Sequence, residues 1–455
     1  MGVFYFSFCF CNSRRVNFIA DTRRKTLFKY VTPAVLAQVC FFVFTIVDGI
    51  FVGNGVGENG LGAVNLVMPF LMVVYALFML ISVGGSTITA IRFGRGDKAG
   101  ANQAFMSSFM AILIVAAVLT VIGVFFSVPL GYFLGANETY IQYVSDYLVG
   151  YSIFLIPSAF DALFQFFGRN DGSPELAMKA TVISSGINIF LDWLFIFPLG
   201  LGVKGAAVAT GISQTIAFFI MLSHFTSKKG DLRFAKFRFD RILMQKIFIR
   251  GVPEAISQFS VSVSVICMNY AALERFGEIG VNSYSVIAYI ASFSVAIFAG
   301  VAEGMQPVIG QSYGAKNTEN LKYYYRLSVF ISFIGSLAVC VGILFFGGYI
   351  CRLFGIDSQT LAFATKAMPK YSLGFLAMSV TTIMSAYLYS TKRSKEAIIL
   401  NIFRGIILNS AIIYFFPRIF GSEILWYAFV FYEGIGLLIG LGLIRASEKN
   451  GIIYR

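Results

Sequence analysis

Residues Val43–Gly57 read VFTIVDGIFVGNGVG, which places one acid, Asp48, inside a run of apolar and small side chains. The run reaches back to residue 28, so it exceeds the about 20 residues that a helix needs to cross a bilayer. Similar runs recur along the whole 455-residue chain, which is 58% hydrophobic and only 13% charged. A water-soluble protein of this size would carry more charge on its surface. The sequence therefore predicts an all-α polytopic membrane protein.

Short polar segments divide the chain into twelve predicted transmembrane helices. The spans are predicted at 28–53, 61–91, 103–127, 141–168, 175–198, 203–225, 246–273, 281–312, 321–347, 361–391, 396–416 and 423–444. With the N-terminus inside, the outer segments carry only Lys204, Arg275, Arg352, Lys366, Lys370 and Arg418 of the 35 basic residues. Arg404 is counted with the inner segments. This asymmetry predicts that both termini are cytoplasmic.

The two halves of the chain repeat each other at one fixed offset. Sliding the sequence on itself by that offset aligns Gly57, Glu58 and Gly60 with Gly277, Glu278 and Gly280, and Pro33 with Pro253. Six spans per repeat insert both halves in the same orientation, which is typical of transporters with alternating access. A channel with pseudo-two-fold symmetry is the alternative, although no filter-like segment or ring of like charges is present.

The repeat also predicts the domain organisation. We expect a cytoplasmic segment 1–25, a first lobe 26–226, a basic linker 227–245, a second lobe 246–446 and a cytoplasmic tail 447–455. The linker alternates basic and Phe residues, which favours a position on the inner membrane surface over a nucleic-acid patch.

Two acids lie deep in predicted spans of the first half, where charge is costly and marks functional candidates. Asp48 lies in span 1, and Asn188 and Asp192 lie one helical turn apart in span 5. Counting 1.5 Å per residue puts them and Thr210 of span 6 at similar depths of about 6–10 Å. Small residues of span 6, among them Ala206, would let the helices approach closely. Such a group suits a shared proton or Na⁺, and the alternative is a polar cluster that only joins three helices.

The repeat makes this group asymmetric. The same shift places Met268 opposite Asp48 and Ile412 opposite Asp192. The helices are therefore duplicated while the acid pair is not, which favours a functional role for the pair.

A second set of acids is predicted nearer the inner side or mid-span, where it could line a cavity for a cationic substrate. Its members are Asp161, Glu254, Glu303 and Glu433. Glu254 follows Pro253 at the predicted start of span 7, so it could instead be an N-terminal acid favoured by the helix dipole. Abundant Phe, Tyr and Met would suit amphipathic cations through dispersion and cation–π contacts.

Four motifs carry a resemblance to a known family. VDGIFVGNGVGENGLGAVN, RNDGSPELAMKATVISSGINIFLDWLFIF, GVKGAAVAT and EGMQPVIGQSYGAKN are similar to segments of the multidrug and toxic compound extrusion (MATE) family, in its MepA-like bacterial branch. The resemblance covers residues from about 26 to 446. It implies two six-helix lobes forming a V, and export of cationic drugs in exchange for H⁺ or Na⁺.

The resemblance also assigns residues. Asp48, Asn188, Asp192, Thr210 and Ala206 match the family's ion site in the first lobe. The acids that a NorM-like branch carries on spans 7 and 10 are missing here, so a Na⁺ site in the second lobe is not expected.

The prediction that follows is a secondary multidrug antiporter in a prokaryotic plasma membrane, which is not an enzyme. We expect drugs or toxic metabolites as substrates, lipids as neighbours and a functional monomer, with no cofactor, no nucleic acid and no ATP, because no nucleotide-binding loop is present. No metal is expected beyond Na⁺ at the first-lobe site. The alternative is a lipid-linked oligosaccharide flippase of the same superfamily, which the scarcity of mid-span basic residues disfavours. A receptor or channel is a second alternative and predicts no uphill transport.

Overall fold

The computed structural model of the protein describes residues 13–227, 229–353 and 358–449, and most of these residues are helical. No β-strand occurs within these ranges. The predicted cytoplasmic segment up to residue 12 and the tail beyond residue 449 lie outside them. The first half contains the helices α1 Ser13–Val56, α2 Glu58–Gly94, α3 Lys98–Phe125, α4 Ser127–Phe133, α5 Ile141–Ser152, α6 Leu155–Asn170, α7 Pro174–Ile196 and α8 Gly202–Thr226.

The second half follows the same order. It contains α9 Arg241–Gly314, α10 Thr318–Leu353, α11 Ser358–Ser372, α12 Gly374–Ser390, α13 Ser394–Ile402, a π-helical turn Phe403–Leu408, α14 Asn409–Phe420, a 3₁₀ turn Ser422–Tyr427 and α15 Ala428–Lys449. The α5–α6 pair is one span bent by 53°, and α11–α12 is one span bent by 42°. Because α9 breaks at Gly277 into two arms, the described residues form twelve spans, as predicted.

The ends of several helices differ from the predicted limits. The first helix is helical from Ser13, well before the predicted 28, and α9 begins at Arg241, inside the predicted linker. Helices that protrude beyond the hydrocarbon continue through polar residues, so an apolar run marks the membrane-embedded part and not the helix end.

The repeat is visible in the backbone conformation. Left-handed φ angles recur in pairs that the repeat relates exactly or to within one position, at Gly57 and Gly277 (φ 87° and 63°), Gly96 and Lys316 (75° and 55°), Gly172 and Lys392 (87° and 63°), and Gly200 and Gly421 (62° and 91°). Non-glycine residues rarely adopt this conformation. The two lysines therefore indicate that the turn geometry of the repeat was kept where the glycine was not.

The two halves pack through glycines toward one end of the bundle, which we call the basic end because the loops 95–97, 229–240, 315–317 and 391–393 lie there. A Cβ atom at Gly251 of α9 would lie 1.7 Å from the carbonyl oxygen of Leu80 on α2. At Gly94 it would lie 2.0 Å from the carbonyl oxygen of Gln311, and at Gly314 it would lie 2.0 Å from that of Ile91. Only glycine permits backbones to approach so closely.

The linker between the halves is attached to the first half. Leu232 is fully buried, and the Phe234 ring packs 5.6 Å from the Phe105 ring. Asp171 accepts backbone N–H bonds from Asp231 and Leu232 at 2.7 and 3.2 Å. This first part of the linker therefore packs against the first half, and its position on the inner membrane surface stays a prediction.

Candidate functional site

Four polar side chains meet between three helices of the first half, and we call this group the acceptor cluster: Asp48 on α1, Asn188 and Asp192 on α7, and Thr210 on α8. The carboxyl groups of Asp48 and Asp192 interact electrostatically. Asn188 Nδ2 donates to Thr210 Oγ1 at 3.3 Å. Asn188 and Asp192 are fully buried, because their four-residue spacing puts both on the face of α7 that packs against the bundle.

Small residues of α8 allow the three helices to come together. Ala206 is 1% exposed, and a Cβ atom at Gly205 would lie 3.0 Å from the Cβ of Phe195. Ala206 thus contributes close packing beside the cluster, and its side chain carries no polar atom. The predicted ion-site residues therefore comprise four polar groups and one spacer.

Four carboxyl and amide oxygens of the cluster have no hydrogen-bond donor among the described residues. Asp48 Oδ1, Asn188 Oδ1 and both carboxylate oxygens of Asp192 are buried without one, as is the nearby Gln214 Oε1. All of these atoms are acceptors when the acids are ionised. Burying unpaired acceptors and two like charges is costly, and a proton or a small cation would remove that cost. No group of three or more His, Cys, Asp or Glu among the described residues could hold a metal ion, so a Na⁺ ion here would need the amide and hydroxyl oxygens as well.

Sequence reasoning missed two tyrosines that border the cluster. Tyr147 of α5 is 5% exposed and interacts electrostatically with both Asp48 and Asp192. One turn further, Tyr151 interacts with Gln214. Their four-residue spacing on one helix was the available signal, but it does not stand out among 23 tyrosines.

The second half has no acid pair at the equivalent place. Met268 is 1% exposed and Ile412 is 4% exposed, and both lie in an apolar core with Phe298 and Tyr371. The acceptor cluster is therefore found in one half of the repeat among the described residues.

The second set of acids separates into different environments. Glu303 of α9 accepts hydrogen bonds from Gln38 Nε2 of α1 at 2.7 Å and from an Arg169 Nη of α6 at 2.6 Å. Among the described residues, Asp161 accepts only from Gln165 Nε2, at 3.1 and 3.2 Å. These contacts place Glu303 at the junction of both halves and Asp161 within the first half.

Glu254 is not a residue of a helix N-terminus, so the helix-dipole interpretation is wrong. It lies thirteen residues after the start of α9 at Arg241, and the dipole acts only within the first turn. Its carboxylate accepts from Gln258 Nε2 at 2.9 Å. Tyr389 interacts electrostatically with both Glu254 and Glu303, which groups these acids around the junction between the halves.

Glu433 is paired with Arg404, a basic residue inside the predicted span 396–416. Its Oε2 accepts from Thr381 Oγ1 at 2.8 Å and lies 3.3 Å from an Arg404 Nη. Arg404 is 6% exposed in the π-helical turn Phe403–Leu408, a feature common at functional positions. Arg404 is therefore a buried base inside a span and not part of an inner segment, and it forms an ion pair with Glu433 there.

Comparison with known proteins assigns the fold to a family. The MatE family profile matches residues 33–194 and 253–415, two segments that begin at the aligned prolines Pro33 and Pro253. Multidrug export protein MepA of Staphylococcus haemolyticus is 26% identical over 409 residues, covering 88% of this chain and 89% of that protein. The protein of the same name from Staphylococcus aureus is 24% identical over 412 residues, with the same coverage of both chains.

Solved structures agree over almost the whole chain. A transporter of the MOP superfamily from Pyrococcus furiosus superposes with a TM-score of 0.88 at 25% identity, covering 95% of this chain and 97% of that one. An outward-facing multidrug resistance MATE transporter superposes with a TM-score of 0.89 at 24% identity, covering 97% and 99%. The V-shaped arrangement of two six-helix lobes is thus the fold of this protein, and the chain belongs to the MatE family.

Proposed function

We propose that this protein is a multidrug efflux antiporter that exports amphipathic cations in exchange for H⁺ or Na⁺. The observation that carries the proposal is the acceptor cluster, in which buried oxygens of Asp48, Asn188 and Asp192 have no donor. The names of the staphylococcal relatives support drug export. The proposal places the protein in a prokaryotic plasma membrane with both termini in the cytoplasm, working as a monomer without cofactor or ATP.

The mechanism follows from charge neutralisation. A proton or Na⁺ that enters from outside removes the repulsion between Asp48 and Asp192 and lets α1, α7 and α8 pack in one arrangement. Release of the ion inside restores the repulsion and favours the other arrangement. Coupling requires only that drug and ion bind these two states unequally.

The acids at the junction of the halves are the proposed substrate contacts. Glu254 and Glu303 lie near the tyrosines Tyr75 and Tyr389, which offer π-faces to a cation. Asp161 has no basic hydrogen-bond partner in the part of the chain that the structure describes. Amphipathic cations would therefore meet both negative charge and aromatic surface.

The alternative, a lipid-linked oligosaccharide flippase, needs excess positive charge in the cavity to hold pyrophosphate. The Pyrococcus furiosus relative is described as having a binding pocket of reversed polarity that suggests a different function. Here Arg169 and Arg404 each lie against a glutamate, which leaves the junction acidic. The charge balance favours a cationic substrate.

The test is uphill transport in everted membrane vesicles, with a pH gradient and a Na⁺ gradient imposed separately. Tetraphenylphosphonium is the probe, because it is a permanent lipophilic cation. Asp48→Asn and Asp192→Asn keep the shape of the side chain but remove the charge, and each should lower gradient-driven accumulation at least about tenfold.

The matched control is Glu138→Gln, which changes an exposed acid that accepts from Tyr132 at 3.0 Å outside the cluster. It should transport like the wild type. Normal accumulation by either aspartate variant would refute the assignment of the coupling site.

A further inference from the structure

Arg169, a buried arginine of the first half, forms an ion pair with Glu303 of the second half at the junction between the halves. Arg169 of α6 is 4% exposed, Glu303 of α9 is 16% exposed, and their nitrogen and oxygen are 2.6 Å apart. Gln38 of α1 holds the other Glu303 oxygen at 2.7 Å. The carboxylate of Glu303 is thus shared by three helices from both lobes.

The surroundings fix Arg169 in this position. Its guanidinium lies 5.1 Å from the centre of the Phe166 ring, and a second Nη is 3.5 Å from Gln165 Oε1. Gln165 Oε1 also accepts from Thr181 Oγ1 of α7 at 3.2 Å. Arg169 is therefore linked through Gln165 to the helix that carries Asn188 and Asp192.

The same region seals the two lobes against each other. Three residues after Glu303, on the same face of α9, Gln306 Nε2 donates to Ser86 Oγ at 3.1 Å and to Thr87 Oγ1 at 2.9 Å on α2. Both serine and threonine are nearly inaccessible. Moving Glu303 away from Arg169 would also pull Gln306 away from Ser86.

We propose that Arg169 is a tethered cation that competes with the substrate for Glu303 and thereby determines which cations bind. In the substrate-free protein, the guanidinium satisfies the carboxylate and keeps the lobes joined toward the basic end. A substrate whose positive group takes the place of Arg169 breaks this link between α6 and α9. This inference rests on the proposed function for the substrate class, but it concerns a residue and a competition that the proposed function does not require.

Competition and simple scaffolding predict opposite results. If Arg169 competes with substrate, removing its charge frees Glu303 and tightens cation binding. If Arg169 only supports the fold, removing it loosens the site and weakens binding. The sign of the change in affinity therefore separates the two.

The experiment measures equilibrium binding of tetraphenylphosphonium, and of the anion tetraphenylborate with the same shape, to the purified full-length protein in lipid nanodiscs. For Arg169→Gln we expect binding of the cation about tenfold tighter or more, within the usual range of coupling between sites. Binding of the anion should not tighten. Arg169→Lys keeps the charge but loses the second nitrogen that contacts Gln165, so its affinity for the cation should lie between those of the wild type and Arg169→Gln.

Two further variants complete the binding series. Glu303→Gln should weaken binding of the cation in both the wild-type and the Arg169→Gln background. Arg23→Gln removes another arginine that pairs with a glutamate between the halves, Glu319 at 2.8 Å, but at an exposed position. It should leave cation binding unchanged.

A second readout does not depend on ligand. Ser86→Cys in a cysteine-free background reports opening between the lobes through its rate of reaction with a soluble maleimide. We expect Arg169→Gln to raise that rate at least about fivefold without ligand. If the Arg169→Gln variant is monodisperse and folded, unchanged labelling together with weakened or unchanged cation binding would overturn the inference.

The outcomes also separate this inference from the proposed function. If the wild type accumulates the cation uphill but Arg169→Gln does not bind it more tightly, only the tethered-cation inference fails. If Arg169→Gln tightens binding but the wild type performs no uphill transport, the antiport proposal fails while the competition stands. If neither protein binds the cation, both fail.

Discussion

Replacing Gly251 by alanine should open the basic end of the bundle, because the new methyl group has no room. A Cβ atom there would lie 1.7 Å from the Leu80 carbonyl oxygen and 2.5 Å from its carbonyl carbon, where ordinary contact begins at 3.4 Å. Because the obstacle is backbone and cannot rotate away, α2 and α9 must separate by about 1.7 Å, or their backbones must distort by a comparable distance. Overpacking of this kind costs about 1–3 kcal/mol, which changes the ratio of closed to open protein about 5- to 150-fold.

The assay is maleimide labelling of Ser86→Cys in the cysteine-free background, with and without Gly251→Ala. Labelling should accelerate at least about fivefold in the alanine variant. The control is Gly186→Ala on α7, where nothing lies within 4 Å of the new methyl group. That variant should label like its parent. If Gly251→Ala labels at the parental rate and melts at the parental temperature, the glycine contact does not hold the lobes together and the reasoning fails.

Three further perturbations follow from the contacts. Arg404→Leu should lower the free energy of unfolding by about 3–5 kcal/mol because it leaves the buried Glu433 carboxylate without its partner, and adding Glu433→Leu should restore most of the loss. Thermal unfolding in detergent measures both variants, and no recovery in the double variant would contradict this. Gly277→Ala should cost about 1–2 kcal/mol because of its φ of 63°, whereas Gly49→Ala, with nothing near its Cβ, should cost less than half as much in the same melt. Asp171→Ala removes the acceptor of two linker N–H groups, so trypsin should cleave near the linker at least about tenfold faster in folded protein, and equal cleavage rates would show that the linker is held by its apolar contacts alone.

Much of the fold follows from patterns that physics imposes on any membrane chain. Apolar runs long enough to cross the hydrocarbon core, together with glycines shared at one offset, predict twelve helices in two equivalent halves. The backbone shows the same offset at Gly57 and Gly277, where both φ angles are positive. The ends of the helices were less predictable, since α9 starts at Arg241 in a segment rich in basic residues.

The acceptor cluster could be anticipated because depth along a helix can be counted. Asp48, Asn188 and Asp192 fall at similar levels in helices of known direction, and the structure brings their side chains together. The neighbouring Tyr147 comes from a bent span, and the direction in which a bent helix points is set by tertiary packing. Its role beside the cluster, like the ion-binding role itself, stays a prediction.

The sequence does not predict which charged residues form ion pairs between helices. Arg404 lies ten residues after the start of its span, and only its contact with Glu433 shows that it belongs to the core. Arg169 was likewise counted as an inner basic residue, yet its partner Glu303 lies in the other half of the chain. Periodicity predicts which face of a helix is buried but not which distant charge it meets.

The most direct test of the account is whether substrate movement drives the coupling ion in the opposite direction. Purified protein in proteoliposomes receives a tetraphenylphosphonium gradient and no imposed ion gradient, while internal pH and Na⁺ are followed by fluorescent indicators. Because coupling between two ligands is reciprocal, the tetraphenylphosphonium gradient should drive H⁺ or Na⁺ across the membrane in the opposite direction to tetraphenylphosphonium. Asp192→Asn should abolish that ion movement. Tetraphenylphosphonium flux with no counter-movement of either ion, or counter-movement that persists in Asp192→Asn, would contradict the central claim.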